Sequence, residues 1–186
     1  MTGFAICGSF CNHKATLEVL RKLTDSGEDI LPIVSSTVYN TDTRYGKASD
    51  FIREINNITS KEIIHTIKDA EPLGPVIPLD ALIICPCTGN TLAKLAAGIT
   101  DTPVCMAAKA HTRQTRPLLI ALASNDALSA NLASIAVMLQ RKNVYFVPMK
   151  QDDPARKPHS LVADISRVGE ALEAMKEGRQ LRPLFN

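Results

Sequence analysis

The sequence predicts a three-layer α/β protein, a doubly wound parallel sheet of five or six strands in a single domain, on three observations. Short apolar runs recur along the chain at Phe4–Cys7, Ile30–Val34, Ala81–Cys85, Leu118–Leu122 and Val144–Val147. Runs of that length with no polar face suit strands covered on both sides. Between them lie segments with apolar residues at helical spacing, and alternation of strand and helix favours parallel strands joined by right-handed crossovers. The third observation is size. A chain of 186 residues, 45% hydrophobic and 22% charged, can bury one core and needs no second domain. Residues 1–186 are therefore read as one unit, with 179–186 as a C-terminal tail.

The elements follow in order. After the first strand, Gly8-Ser9-Phe10-Cys11-Asn12 is a turn, and a helix runs from about Lys14, with Ala15, Val19, Leu20 and Leu23 inward, to Gly27. The second strand ends in the hydroxyl cluster Ser35-Ser36-Thr37. Val38 to Ser49 is polar and reads as a loop or lid. Phe51, Ile52 and Ile55 mark a helix. Thr59-Ser60-Lys61-Glu62 has the capping-box pattern, which predicts a second helix carrying Ile63, Ile64 and Ile67, with His65 on its surface. Glu71 to Pro78 is a proline-rich loop.

The stretch from Leu82 to Gly98 is the most informative. Pro86 lacks an N–H and is expected to end the strand. Thr88 and Asn90 are good N-cap residues, Leu92, Leu95 and Ala96 continue at helical spacing, and Gly98 stops the helix. Thr102 to Ala108 fits a short strand or a helix start. Leu118–Leu122 is a buried strand followed by Ala123-Ser124-Asn125-Asp126, then a helix over Leu128–Gln140. Val144–Val147 is read as the last strand. Gln151 to Pro158 is a surface loop, and Ser160 caps a helix that ends near Gly178. The tail exposes Leu181, Leu184 and Phe185 for docking on a partner chain.

Composition narrows the function. A net charge of +2, no Trp and 4% aromatics argue against nucleic acid and against a charged membrane surface. No apolar run reaches membrane-spanning length, and the start shows no signal-peptide pattern. Five cysteines, an odd number, with several in apolar runs, favour a reducing cytoplasm. The spacings Cys7/Cys11 and Cys85/Cys87 match neither common zinc pairs nor a redox motif, so the expected number of metal sites is none.

Three turns share the carboxyl edge of the expected sheet, where ligands of such folds bind. Gly8-Ser9 and the Thr88 turn can each aim backbone N–H groups at an anion. Small residues Cys87, Thr88 and Gly89 let a flat ligand approach the backbone. The single glycine at Gly8 does not make a dinucleotide fingerprint, and no Walker A loop is present. His13 and His111 lie near turns. Lys109, His111, Arg113 and Arg116 form a basic run that is either a solvated face or a counter-charge for a phosphate or dicarboxylate.

The run Pro86-Cys87-Thr88-Gly89-Asn90-Thr91, its helix, and Gly98-Ile99-Thr100-Asp101 resemble the hallmark of the FMN-binding flavoproteins, the family of cysteine decarboxylases and flavin prenyltransferases. The resemblance extends from about Phe4 to Gly178 and implies a flavodoxin- or Rossmann-like sheet with bound FMN. It implies FMN contacts from Gly8, Ser9, Phe10, Ser35, Thr37, Cys87, Thr88, Gly89, Asn90 and Thr91, with Asn125 facing the flavin ring. Family members build trimers, which implies a homo-oligomer. Cys85–Thr91, Met106–His111 and Lys157–Ser160 are similar to the dipicolinate synthase branch of that family, in its B subunit. That branch implies a partner, the A subunit of the synthase, and NADP-linked oxidation of a dihydrodipicolinate-type dicarboxylate to dipicolinate in the mother cell of a sporulating bacterium. The catalytic residue is unknown on these grounds, and the candidates are Asn125, Lys109, His111 and Arg116. The chain departs from its relatives in two places. Gly74–Pro78 holds no His where the decarboxylases carry a catalytic one. Ala123 and Ser124 stand where prenyltransferases carry Arg and Glu, and Leu122 replaces the family proline. The alternatives are an independent FMN-dependent decarboxylase or prenyltransferase, and a non-catalytic regulatory subunit.

Overall fold

The computed structural model describes residues 1–186 as seven strands and eight α-helices. The strands are β1 (Thr2–Ile6), β2 (Ile30–Val34), β3 (Ala81–Thr88), β4 (Leu118–Ser124), β5 (Val144–Phe146), β6 (Met149–Lys150) and β7 (Leu161–Ala163). The helices are α1 (His13–Asp25), α2 (Ser36–Asn40), α3 (Ala48–Thr59), α4 (Ile67–Ala70), α5 (Gly89–Ala97), α6 (Pro103–Thr112), α7 (Leu132–Leu139) and α8 (Val168–Lys176). Strand order is β2-β1-β3-β4-β7-β6, with β5 also paired to β4. The β1, β2, β3, β4 and β5 pairings are parallel, and β7 joins β4 and β6 antiparallel.

Period-two alternation divides the strands between two cores. Ala5, Ile33, Leu82, Ile84, Ile120 and Leu122 pack under α5, α6 and α7 on one face. Phe4, Ile6, Val34, Ile83, Leu119 and Ala121 pack under α1, α3 and α8 on the other. Both faces are covered, which is why the runs contain no polar residue.

The structure corrects the sequence reading in four places and decides a fifth that the sequence leaves open. Pro86 does not end its strand. β3 continues to Thr88 through a register shift between Ile84 and Cys87, so the missing N–H is absorbed by the irregularity. Part of the expected lid is helical, because Ser35 caps α2 by accepting the Val38 N–H. The capping box does not cap. Ser60 ends α3 in the left-handed conformation (φ 52°), and the chain runs extended so that Ile64 bridges Ile33. His65 is half-buried and stacks on Tyr39 at 3.8 Å. Thr102, with Pro103 at N1, makes Thr102–Ala108 the start of a helix. Finally, Val144–Val147 is not the last strand. Leu161–Ala163 pairs in the sheet, and α8 begins later, after Asp164 caps a short 3-10 turn at Ile165–Arg167.

The tail is stitched on. Met149 N donates to Leu184 O and Asn186 N to Met149 O, while Gln180 both accepts from Phe146 N and donates to Phe146 O. Leu184 therefore packs on its own core, and of the three tail residues Phe185 stays the most open, 54% exposed.

Candidate functional site

Parallel strands set their carboxyl ends side by side, so the turns after β2, β1, β3 and β4 meet along one edge. Hydrogen bonds fix their mutual position: Ser35 N donates to Ile6 O at 3.0 Å, and Cys7 N donates to Pro86 O at 3.1 Å.

The turn after β1 is built by Ser9 N donating to Cys7 O and Asn12 N donating to Ser9 O. That geometry leaves the N–H groups of Gly8, Phe10 and Cys11 without an acceptor in the chain. Several N–H groups directed outward from one turn make a receptor for an anion. At Gly8 a side chain would begin 3.4 Å from the Thr37 methyl, so the β1 and β2 turns touch here. Ser35 accepts the Val38 N–H through its Oγ, which leaves its own hydroxyl hydrogen to donate toward the edge.

The Thr88 turn is more committed. Thr88 Oγ1 accepts the Thr91 N–H at 3.2 Å and donates to Thr91 Oγ1, which donates to Cys7 Sγ at 3.4 Å. Thr91 is 8% exposed and its hydroxyl points inward, so it fastens α5 to β1 and does not face the edge. Cys87 is fully buried, with its thiol donating to Thr88 O. The family resemblance assigns ligand contacts to both positions, and in this chain both side chains are buried. Asn90, by contrast, stands exposed at the start of α5.

Gly89 carries a different constraint. A Cβ there would lie 2.3 Å from Ser124 Oγ, 2.8 Å from Asn131 Nδ2 and 3.0 Å from Asp126 Oδ1. Those three side chains form a network: Ser124 Oγ donates to Asp126 Oδ1 at 2.5 Å, and Asn131 Nδ2 donates to both Asp126 oxygens at 3.0 and 2.9 Å. These donors hold the Asp126 carboxyl below its usual range. The Asn131 Oδ1 is buried without a partner. Sequence reasoning misses Asn131 because it starts this helix at Leu128. Asn131 precedes Leu132 but makes no side-chain cap bond there and turns its amide to Asp126 instead, so no local pattern marks it. Asn125 is exposed between Ser124 and Asp126, at the same edge as the β1 turn.

The buried thiols are inert. Burial pushes Cys7 up to about 11 and Cys85 up to about 12, and raises Cys87 and Cys105 as well. None is a thiolate at neutral pH. Cys11 alone is exposed. His13 Nε2 donates to Cys7 O at 3.0 Å, and its ring stacks on Phe51 at 4.3 Å. Burial lowers its pKa, so the ring is neutral.

The basic run lies elsewhere. His111 bonds Pro117 O at 2.8 Å, and Arg116 donates to Leu79 O at 2.5 Å. Those carbonyls precede β4 and β3, so His111 and Arg116 hold the amino edge together, opposite the turns. Lys109 lines a 440 Å³ cavity with Leu118 and Val144, the first residues of β4 and β5, also at that edge. These three candidates are not brought to the carboxyl edge; Asn125 is. A 530 Å³ cavity bounded by α1, the 41–47 loop and α3 shares Phe10 and Cys11 with the β1 turn.

The profile of the Flavoprotein family matches residues 3–170. The B subunit of dipicolinate synthase from Bacillus subtilis (strain 168) is 39% identical over 183 residues, covering 98% of this chain and 92% of that protein. A crystal structure of the dipicolinate synthase B subunit from Bacillus halodurans C superposes with a TM-score of 0.91 at 39% identity, over all of this chain and 95% of the other. The FMN-dependent cysteine decarboxylase SpaF superposes with a TM-score of 0.69 at 22% identity over 95% of each chain, a likeness of fold.

Proposed function

We propose, from the premise that this chain belongs to the flavoprotein family, that it is the flavin-holding member of a two-component dipicolinate synthase. The observation that carries this is identity sustained at 39% over 98% of the chain to the B subunit of that synthase. A protein so designated implies an A subunit, which on this reading brings NADP and shares the dihydrodipicolinate-type substrate. The work belongs in the cytoplasm of a sporulating mother cell.

The residues at the carboxyl edge fit FMN. The unpaired N–H groups of Gly8, Phe10 and Cys11, with the Ser35 hydroxyl and Ser9, suit its phosphate. Gly8 and Thr88 present backbone at which a flat ring can lie close. FMN held there would supply a hydride acceptor. Asn125, exposed at the same edge, offers an amide to the ring or to a substrate carboxylate. Aromatising the substrate removes one hydride and one proton. With Lys109 and Arg116 at the far edge, recognition of the two carboxylates falls to donors of this rim and to the A subunit. The exposed apolar residues Leu132 and Leu139, one above the other on α7, suit packing against further copies of the chain.

The test mixes both components with NADP and the dihydro substrate and follows NADPH and dipicolinate. Turnover that requires both proteins supports the reading. Equal turnover by the A subunit alone reduces this chain to a regulatory role. Flavin binding is read separately, by titrating FMN and following the quenching of its fluorescence.

A further inference from the structure

The cavity beside the β1 turn is not used by the function just described, and its chemistry is specific. His13 is 8% exposed, and its Nε2 must donate, because Cys7 O only accepts. In the neutral ring Nδ1 is then an acceptor. It has no partner in the chain, and it is not sealed from solvent as the orphaned Nδ1 of His111 is, so it opens on the cavity that His13 lines. That nitrogen requests an N–H or O–H from whatever enters.

Around it the walls are aromatic. Phe51 stacks on the His13 ring, Phe10 tilts against it at 5.0 Å, and Tyr45 stands 54% exposed at the mouth. Tyr45 is presented by a tight turn in which Thr43 and Gly46 exchange backbone hydrogen bonds, with the Arg44 guanidinium 5.0 Å over its ring. Lys14 and Lys47 line the cavity without an ion-pair partner, whereas the acids Asp50 and Glu54 are matched by Arg53 and Arg21. Glu18 is the one unmatched acid of the lining. Phe10 and Cys11 belong to the cavity wall and also to the turn whose N–H groups are unpaired.

We propose that this cavity is a subsite for an adenine nucleotide, with the base against Tyr45 and Phe51, its exocyclic amine donating to His13 Nδ1, and its phosphates reaching Lys14 and the Gly8–Cys11 turn. A base has a face for the aromatic walls and a donor for the orphaned nitrogen. Its phosphates match the two lysines of the lining that no acid pairs, Lys14 and Lys47. The adenine half of FAD and a separate nucleotide such as NADP carry the same chemistry. The proposal rests on the proposed function only in reading the β1 turn as a phosphate site.

The test is calorimetry of the full chain with AMP, FMN, FAD and NADP, repeated on Tyr45→Ala and Lys47→Ala. Saturable AMP binding is expected, weakened about tenfold by Tyr45→Ala. FMN affinity should stay within about twofold in the same variants, because neither residue belongs to the turn. FAD binding tighter than FMN identifies the source as the flavin's own adenine. NADP that competes with FMN, as two phosphates on one turn require, and is weakened by Tyr45→Ala identifies a separate nucleotide. AMP binding with no FMN binding keeps the subsite and removes the flavin reading. No saturable AMP or NADP binding, together with equal FMN and FAD affinities, overturns the proposal, as does AMP binding that is indifferent to both substitutions.

Discussion

Gly89 shows how one absent side chain can hold several present ones. Its hydrogen faces Ser124, Asp126 and Asn131, so a methyl group at 2.3 Å from Ser124 Oγ must push the network or the α5 start aside. Gly89→Ala is expected to cost about 1–3 kcal/mol by overpacking. Gly98→Ala, at φ 73° with open space around it, should cost only the roughly 1 kcal/mol of a left-handed alanine. Urea unfolding of the two variants checks the order; equal losses would show that the network yields freely. In sequence, Gly89 reads as room for a ligand. The stronger requirement comes from residues more than thirty positions away, which no local pattern can reveal. The two buried histidines set a pH dependence. Burial lowers the pKa of His13 and His111 below 6.5, so the unfolded chain takes up protons there before the folded chain does. Stability from these groups is complete above 6.5 and falls as pH drops through it toward the lowered folded values. The paired carboxylates Glu28 and Asp80, whose pKa values are lowered by Lys176 and by the chain's amino group, lose their contribution only in more acid solution. The urea midpoint should therefore decline between pH 7 and 5.5. A flat profile in that window would mean that both rings protonate without penalty.

At the scale of elements, the caps decided what was legible. Thr88 and Gly98 bracket α5 as the sequence suggested, because an N-cap hydroxyl and a left-handed glycine act within a few residues. The same logic failed at Thr59-Ser60-Lys61-Glu62. There the parallel bridge from Ile33 to Ile64 claims the backbone, a long-range pairing that outweighs a local capping pattern. It failed again at Leu161–Ala163, where three residues of strand are recruited by β4 and β6. Thr88 does more than cap, since its hydroxyl relays through Thr91 to Cys7. Thr88→Val should lose about 1–2 kcal/mol, whereas Thr88→Ser keeps the oxygen and loses little. Thermal unfolding distinguishes the two. If valine is tolerated as well as serine, the cap is dispensable and the turn is held by packing alone.

For the whole molecule, the parallel sheet separates two edges that the linear sequence ran together. β4 spans seven residues, roughly 20 Å at strand rise, between the amino edge with Arg116 and Lys109 and the carboxyl edge with Ser124 and Gly89. A basic run a few residues before a strand reads in sequence as if it stood beside the residues that follow that strand; the fold puts the strand's full length between them. Lys109→Ala and Arg116→Ala should therefore leave FMN affinity within about twofold, since exposed charges beyond a Debye length are screened. Ser35→Ala, which removes both the α2 cap and the free hydroxyl, should weaken FMN by about tenfold. Arg116→Ala still has a cost, because its bond to Leu79 O joins the approach to β4 with the approach to β3, and its loss should lower stability by about 1–2 kcal/mol. Fluorescence titration and urea unfolding of the same three proteins separate the effects. An Arg116→Ala protein that folds with wild-type stability yet loses FMN would place the cofactor at the amino edge. The converging turns at the other edge would then owe their geometry to the sheet alone.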